Sequence, residues 1–302
     1  MDFALDPDQQ AVVDAVASIL ADHAGSARAR ELGSSGHDDR LLQTLATGGF
    51  LDLWAEPGIG PLVAAIVTEE ASRANARANI AIRTLVLPSV LSDREIQRVA
   101  ITHRDNTGPV RFGQHADVLI VVDGDRASIA DITSATAIAT PFGYPYAVVT
   151  TGEARTLDGD AGSNATRWWR VALAAEISGA LQGAVAHTTH HLSQRIQFGK
   201  PLGSLQALQH RLAEAHVWAQ GAKWLARAAA WHGAPEDRAA TAATYAAQAA
   251  QVIGADMHQL SGAIGFTTEF DLHLWTTRLH ALRVELGGAR SHAHATTQAC
   301  WG

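Results

Sequence analysis

Cysteine, basic clusters and long apolar runs are scarce in this 302-residue chain. Its single cysteine, Cys300, excludes a disulfide within the chain and fits a reducing compartment. Lys and Arg total 23 against 30 Asp and Glu, and the net charge of −7 argues against nucleic acid or an anionic membrane as a partner. The chain shows no signal peptide and no apolar run long enough to span a bilayer, so we expect a cytoplasmic protein.

What the chain has in abundance is alanine. Hydrophobic residues make up 47% of it and charged residues only 18%, which allows most of the chain to fold around a large core or two modest ones. Alanine is the strongest helix former. The composition therefore favours a mainly helical protein.

The clearest local pattern is a pair of long helices joined by a tight turn. Apolar residues recur at helical spacing through 168–194, and again through 205–219. Two glycines and a proline lie within 198–203, which breaks both helices. Ser204 is the predicted N-cap of the second helix. The pattern is typical of a helical bundle with an arginine, Arg195, at one end of the hairpin.

Elsewhere the periodicity predicts helices before and after a short β segment. Helices are expected near 6–23, 38–47, 61–72, 80–87, 238–260 and 269–286, and the polar tail after Gly288 shows no clear pattern. Strands are expected at 118–122, 127–132 and 146–151, the first two joined by a turn at Asp123-Gly124. The predicted domains are an N-terminal helical domain (1–99), a reduced β domain (100–162) and a C-terminal helical bundle (163–302).

Two sequence blocks carry a resemblance to a known family. The first is Arg195-x-Gln197-Phe198-Gly199-x-Pro201-Leu202, followed by Gln206. The second is Gln259-x-x-Gly262-x-x-Gly265-x-Thr267-x-Glu269. Both blocks, in this order and joined by one more long helix, resemble segments of the acyl-CoA dehydrogenase family. The resemblance implies that family's fold, FAD as cofactor, and removal of an α-proton and a β-hydride from an acyl-CoA thioester.

The same resemblance implies roles for particular residues. FAD contacts are expected from both blocks, across a subunit boundary, and a substrate contact from Arg170. The expected FAD-binding residues are Arg195, Phe198, Gln206, Gln259, Gly262 and Gly265. Each has a purely structural alternative: an arginine at a helix end caps carbonyl groups, the two glycines form a helix C-cap and a turn, and Phe198 packs in the core.

The chain also departs from the family pattern. It lacks the acidic Gly-Ser-Asp loop and the Trp-Ile-Ser/Thr strand that hold the flavin ring in the family, and its β segment is short. In this it resembles heteromeric family members that act on steroid or other bulky acyl-CoA esters. We therefore expect a homo- or hetero-oligomer, either a dimer or an α2β2 tetramer, with an electron-transfer flavoprotein as acceptor. The alternative is a non-catalytic structural subunit that has lost its base, and with it FAD.

Neither family position of the catalytic base holds a carboxylate in this chain. Leu286 falls where most family members have their glutamate, Trp169 falls at the alternative family position, and Glu285 is one residue away. On a regular helix a one-residue slip turns a side chain by about 100°, which favours a base supplied by a partner chain. Glu285 is the closest match within this chain. Glu176 is a second candidate, with pairing to another side chain as its structural alternative.

Three histidines share the long helix that precedes Arg195. His187 and His191 have the i, i+4 spacing of a metal pair. A zinc site needs further ligands, and no third ligand or glutamate stands near them in the sequence. We therefore expect no metal.

Overall fold

A computed structural model describes residues 4–92 and 95–302. The N-terminal part is helical. Its helices are α1 (Pro7–His23), α2 (Ser26–Leu32), α3 (Asp39–Thr47), α4 (Gly60–Arg73) and α5 (Leu87–Val90). Asp6 begins α1 because its side chain accepts from the backbone N–H of Gln9, whose own side chain accepts from the backbone N–H of Asp6. A π-helical turn at Ile82–Val86 precedes α5 and brings Asn79 and Ile82 beside the sheet.

A six-stranded sheet follows the first helices. Its strands are β1 (Val99–His103), β2 (Val110–Arg111), β3 (Val118–Asp123), β4 (Arg126–Ile138), β5 (Tyr146–Thr151) and β6 (Arg155–Thr156). The spatial order is β1-β3-β4-β5-β2, with β6 on β4; β1 and β3 run parallel and the other pairs antiparallel. The turn predicted at Asp123-Gly124 joins β3 to β4 as expected.

The C-terminal part is a bundle built around one long helix. That helix, α6 (Ala161–Gln194), packs against α4 and against three of the helices that follow it, which are the next three in the chain. After α6 come β7 (Ile196–Gln197), β8 (Lys200–Pro201), α7 (Gln206–Trp231), α8 (Glu236–Ser261), α9 (His273–Leu282) and α10 (Gly288–Trp301). The predicted fold class, mainly helical with a β insert, is confirmed. Along residues 4–92 and 95–302, no helix has both the length and the apolar character needed to cross a bilayer.

Several predicted boundaries are wrong, each for a local reason. Ser204 does not cap α7: it lies in a 3₁₀ turn and its hydroxyl donates to the carbonyl of Pro201, so the helix starts at Gln206. The predicted helix 269–286 shrinks to α9, because the chain forms bends and turns through 267–272 and a 3₁₀ turn at 285–287. The tail without a clear pattern is α10, whose helix packs on α8 through a few small residues and His292.

Two glycines let α6 approach its neighbours closely. A Cβ atom at Gly179 would overlap the carbonyl oxygen of Glu69 on α4. A Cβ atom at Gly183 would overlap the indole nitrogen of Trp275 on α9. That indole N–H donates to the carbonyl of Arg73 at 3.0 Å, so α4, α6 and α9 meet at one point. The contact fixes the position of α6 relative to the first helices.

We expect Gly179→Ala to lower the free energy of unfolding by about 1–3 kcal/mol, because the new methyl group meets backbone atoms that cannot move aside. Gly254→Ala is the control. Gly254 is also buried within a helix, but a Cβ atom there meets nothing within 4 Å. Gly254→Ala should raise the free energy of unfolding by about 0.5–1 kcal/mol, because alanine has a higher helix propensity than glycine. Urea unfolding followed by circular dichroism measures both, and equal effects at the two positions would contradict the close approach.

Candidate functional site

A cavity of about 490 Å³ opens where the sheet meets the bundle. The carboxyl end of β1, the start of β2, the first turns of α6 and the turn between α9 and α10 form its walls. The volume is typical of small-molecule sites. The lining residues are Asn79, Ile82, Ile101, Thr102, His103, Asp105, Asn106, Pro109, Val110, Arg111, Tyr146, Trp169, Glu285, Leu286 and Gly287.

Glu285 faces this cavity from a turn rather than from a helix. Helix α9 ends at Leu282, and Leu286 has a left-handed backbone with φ of 54°. The expectation that a one-residue slip carries Glu285 off the functional face assumed a continuous helix, which the structure does not have between Leu282 and Leu286. The indole N–H of Trp169 donates to Oε2 of Glu285 at 3.0 Å. Trp169, at the alternative family position of the base, is thus in direct contact with Glu285, the residue next to the usual position.

A buried arginine joins Glu285 to the second candidate carboxylate. Nε of Arg111 lies 2.7 Å from Oε1 of Glu285, and its Nη1 donates to Oε1 of Glu176 at 2.9 Å. The hydroxyl of Tyr144 donates to the same Glu176 oxygen at 3.2 Å. The pairing expected for Glu176 as a structural helix carboxylate is therefore present. Glu176 is not among the residues that line the cavity.

Burial controls the ionisation of these groups. It raises the pKa of Glu285, and the nearby Glu176 raises it further, against the opposing effect of Arg111 and the hydrogen bond from Trp169. Burial lowers the pKa of Arg111, but attraction to Glu176 and Glu285 outweighs it and the pKa ends well above its usual value. Burial also raises the pKa of Tyr144 to about 12. The site thus holds a carboxylate of increased basicity beside a permanent cation.

A histidine and several neutral polar groups complete the wall. The ring of His103 stacks on Trp169, with centroids 5.4 Å apart. Burial lowers the pKa of His103, which leaves its ring neutral near pH 7. Asn79, Thr102 and Asn106 add amide and hydroxyl groups. Sequence reasoning missed Arg111 and His103, because each stands in a strand with no motif around it.

The residues of the two sequence blocks lie at the other end of the bundle. Arg195, Gln206, Gln259 and Gly262 are exposed. The expectation that Phe198 packs in the core is wrong: it is 86% exposed, with φ of 55° in the β7–β8 turn. These groups, Phe198 among them, are available to another molecule.

The two glycines of the second block also have structural duties. Gly262 is the C-cap of α8 with φ of 68°, in the left-handed region that favours glycine. Gly265 is buried, and a Cβ atom there would lie 3.1 Å from the carbonyl oxygen of His258. The capping role of Gly262 leaves it open to a ligand contact, since Gly262 remains exposed, whereas Gly265 is buried.

The cavity and the first block are far apart within one chain. Trp169 and Arg195, the C-cap residue, are 26 positions apart along α6, which at about 1.5 Å per residue is roughly 39 Å. The second block lies at the same end as Arg195, because α7 runs back along the bundle and α8 returns. A ligand held by Arg195 therefore does not reach the cavity of the same chain.

The remaining predicted residues have other contacts. Arg170 is buried and donates to Glu236 at the start of α8; it does not line the cavity, and its substrate role stays a prediction. His187 and His191 both pack their rings on Phe270. In the part of the chain that the structure describes, no group of three or more metal-binding side chains occurs.

The chain is similar in sequence to a known family model and to a known protein. A family model described as the acyl-CoA dehydrogenase C-terminal domain matches residues 161–293. The acyl-CoA dehydrogenase IpdE2 of Mycobacterium tuberculosis is 30% identical over 292 residues, which cover 90% of this chain and 91% of the relative.

Solved structures share the fold at lower identity. A variant of the Tcur3481-Tcur3483 steroid ACAD aligns with a TM-score of 0.83 and 22% identity over 98% of both chains. A chain of the ChsE4-ChsE5 complex from Mycobacterium tuberculosis aligns with a TM-score of 0.83 and 20% identity over 99% of this chain and 98% of that one. With a relative at 30% identity aligned along nearly its whole length, and with both sequence blocks in place, the chain belongs to the acyl-CoA dehydrogenase family.

Proposed function

We propose that this chain is a flavoprotein subunit that catalyses α,β-dehydrogenation of a bulky acyl-CoA thioester, with FAD as the hydride acceptor. The observation that carries the proposal is Glu285, a buried carboxylate of raised pKa on the wall of the cavity. A steroid side chain is the acyl group we favour. It is supported by the similarity to a steroid ACAD, although that similarity concerns the fold.

The residues present fit FAD in two separate places. In the cavity, the His103–Trp169 stack and Tyr146 offer aromatic surfaces to a flavin ring, and Thr102 and Asn106 offer hydrogen bonds to its polar edge. At the far end of α6, the exposed guanidinium of Arg195 suits a pyrophosphate, beside Phe198 and Gln206. Bound FAD supplies the acceptor for the hydride that leaves the β-carbon.

In the proposed reaction Glu285 takes the α-proton onto a carboxylate oxygen. A general base works best when its pKa approaches the working pH, and burial moves Glu285 in that direction. Trp169 holds the other oxygen through its indole N–H, which fixes the orientation of the carboxylate. The apolar walls from Ile82, Ile101 and neighbouring residues exclude water from the proton.

The proposed site requires more than one subunit. Because Arg195 lies roughly 39 Å from Trp169, we place Arg195, Phe198 and Gln206 of one subunit, and Gln259, Gly262 and Gly265 of another, on FAD bound at a neighbouring cavity. An α2β2 tetramer satisfies this arrangement, whereas a dimer satisfies it only if both blocks come from the one neighbouring subunit. The heteromeric ChsE4-ChsE5 complex supports a partner of a different sequence, and an electron-transfer flavoprotein is the proposed acceptor.

Arg195→Ala should strip visible flavin absorbance from the purified protein while its helical content stays unchanged, because the side chain is exposed and supports no core contact. Arg155→Ala, at an exposed arginine on β6, is the matched control and should keep the flavin. An unchanged flavin yield in the Arg195 variant would refute its assignment. If the wild-type protein is colourless with every partner co-expressed, the structural-subunit alternative replaces the proposal.

Glu285→Gln should retain flavin and ligand binding but lower turnover by a factor on the order of 10² or more. Glutamine keeps the shape of the side chain and still accepts from Trp169, but it cannot take up a proton. Glu69→Gln is the control, since Glu69 is also buried and paired, with Arg227 at 3.0 Å, away from the cavity. Stopped-flow reduction of the flavin by acyl-CoA measures the effect. Normal turnover in the Glu285 variant would place the base on the partner chain or at another residue such as Glu176.

A further inference from the structure

Two buried carboxylates share one guanidinium in this molecule, and they are not equivalent. The side chains of Glu176, Arg111 and Glu285 are 6%, 7% and 14% exposed. Glu285 reaches the cavity, whereas Glu176 lies behind Arg111 on α6 and does not. The arginine thus stands between an inner and an outer carboxylate.

The two carboxylates share Arg111 and differ in their second donor. Glu176 accepts from Arg111 and from the hydroxyl of Tyr144 on the same oxygen. The ring of Tyr144 lies between two cations, with the guanidinium carbon of Arg111 4.7 Å from its centroid and that of Arg278 4.6 Å. Among the described residues, the second donor to Glu285 is the neutral indole of Trp169. One arginine balances one carboxylate, so one of the two is in excess.

We propose that Glu176 is a positioning residue: it keeps Arg111 as its counterion throughout the reaction and leaves Glu285 as the carboxylate that takes up and releases the proton. When Glu285 is protonated, the buried pair Arg111–Glu176 remains neutral overall. Without Glu176, Arg111 would bind Glu285 alone and hold it in the ionised form. The inference rests on the proposed role of Glu285, but its test does not need turnover.

Other groups also face Glu285 from each surrounding element. Tyr146 on β5 lies close enough for its pKa to be raised by Glu285, after the larger effect of burial. His292 on α10 is hydrogen-bonded to the backbone of Glu285. Burial lowers the pKa of His292 to about 4, so its ring is neutral at pH values well above 4. His103 and Asp105 line the same cavity from the end of β1. Of the described groups that contact the Glu285 carboxylate directly, only Arg111 is charged.

Trp169 provides the measurement. Its indole N–H contacts the Glu285 carboxylate, so protonation of that carboxylate changes the fluorescence of Trp169. The titration is run on the purified protein, together with its partner subunit if one is required, and repeated with Trp169→Phe to subtract the other tryptophans. In the wild-type protein we expect a Trp169-dependent transition above the usual range of a glutamate, because burial raises the pKa of Glu285.

Glu176→Gln should move the midpoint of that transition down by roughly one pH unit, because a nearby like charge raises the pKa of a carboxyl group and its removal lowers that pKa again. Glu69→Gln, which removes a buried charge elsewhere, should leave the midpoint unchanged. An unchanged midpoint in the Glu176 variant would overturn the proposal, because it would mean that Glu176 already carries a proton; its Oε2 has no hydrogen-bond partner among the described residues. Absence of any Trp169-dependent transition would overturn it as well.

A second variant covers the case in which Glu176→Gln fails to fold. Arg111→Lys keeps the positive charge but cannot span both carboxylates. If Glu176 keeps the cation, the midpoint for Glu285 should rise, and a fall or no change would contradict the proposal. These results are separable from the proposed function: Glu285 can titrate as described even if Glu285→Gln retains turnover, in which case only its assignment as the base is lost.

Discussion

A buried positive charge organises the site. Removing an arginine from water costs several kcal/mol unless it is paired and hydrogen-bonded. Arg111 on β2, buried where the sheet meets the bundle, therefore needs anionic partners. It finds Glu176 on α6 and Glu285 on the turn after α9. Arg111 thereby holds together β2, α6 and the turn after α9, which are far apart in the chain. The cavity lies beside this contact. The same cation contacts one carboxylate on the wall of the cavity and one that does not line it.

Much of the fold could be predicted from the sequence, because its helices are long and periodic. The hairpin of β3 and β4 followed from two apolar segments on either side of the turn residues Asp123-Gly124, which is local information. β1 was missed since its partner, β3, lies beyond a loop and pairs with it in parallel. The helix α10 was missed because only a few of its residues are buried, among them Gly288 and His292, which give no apolar stripe. Periodicity detects helices that bury an apolar face and fails for those that bury small or polar residues.

The site was harder to predict, because its contacts are long-range. Trp169 and Glu285 are 116 residues apart, and Arg111 and Glu176 are 65 apart. No spacing rule connects such pairs. Glu285 was identified only through its family position, and its orientation was misjudged because a left-handed Leu286 is rare and invisible in the sequence. The adjoining Gly287-Gly288 pair marked the end of a helix but not the conformation of the leucine before it.

The length of α6 has a consequence for the proposed assembly. Since its two ends would serve cavities on different subunits, the number of complete sites is governed by mass action. At concentrations below the dissociation constant of the subunit assembly, each cavity would keep Glu285 of its own chain. It would lose the Arg195 guanidinium that the neighbouring subunit supplies. A cofactor that binds only the assembled form shifts that equilibrium by RT ln(1 + [L]/Kd), so cofactor and partner subunit would each strengthen the hold of the other.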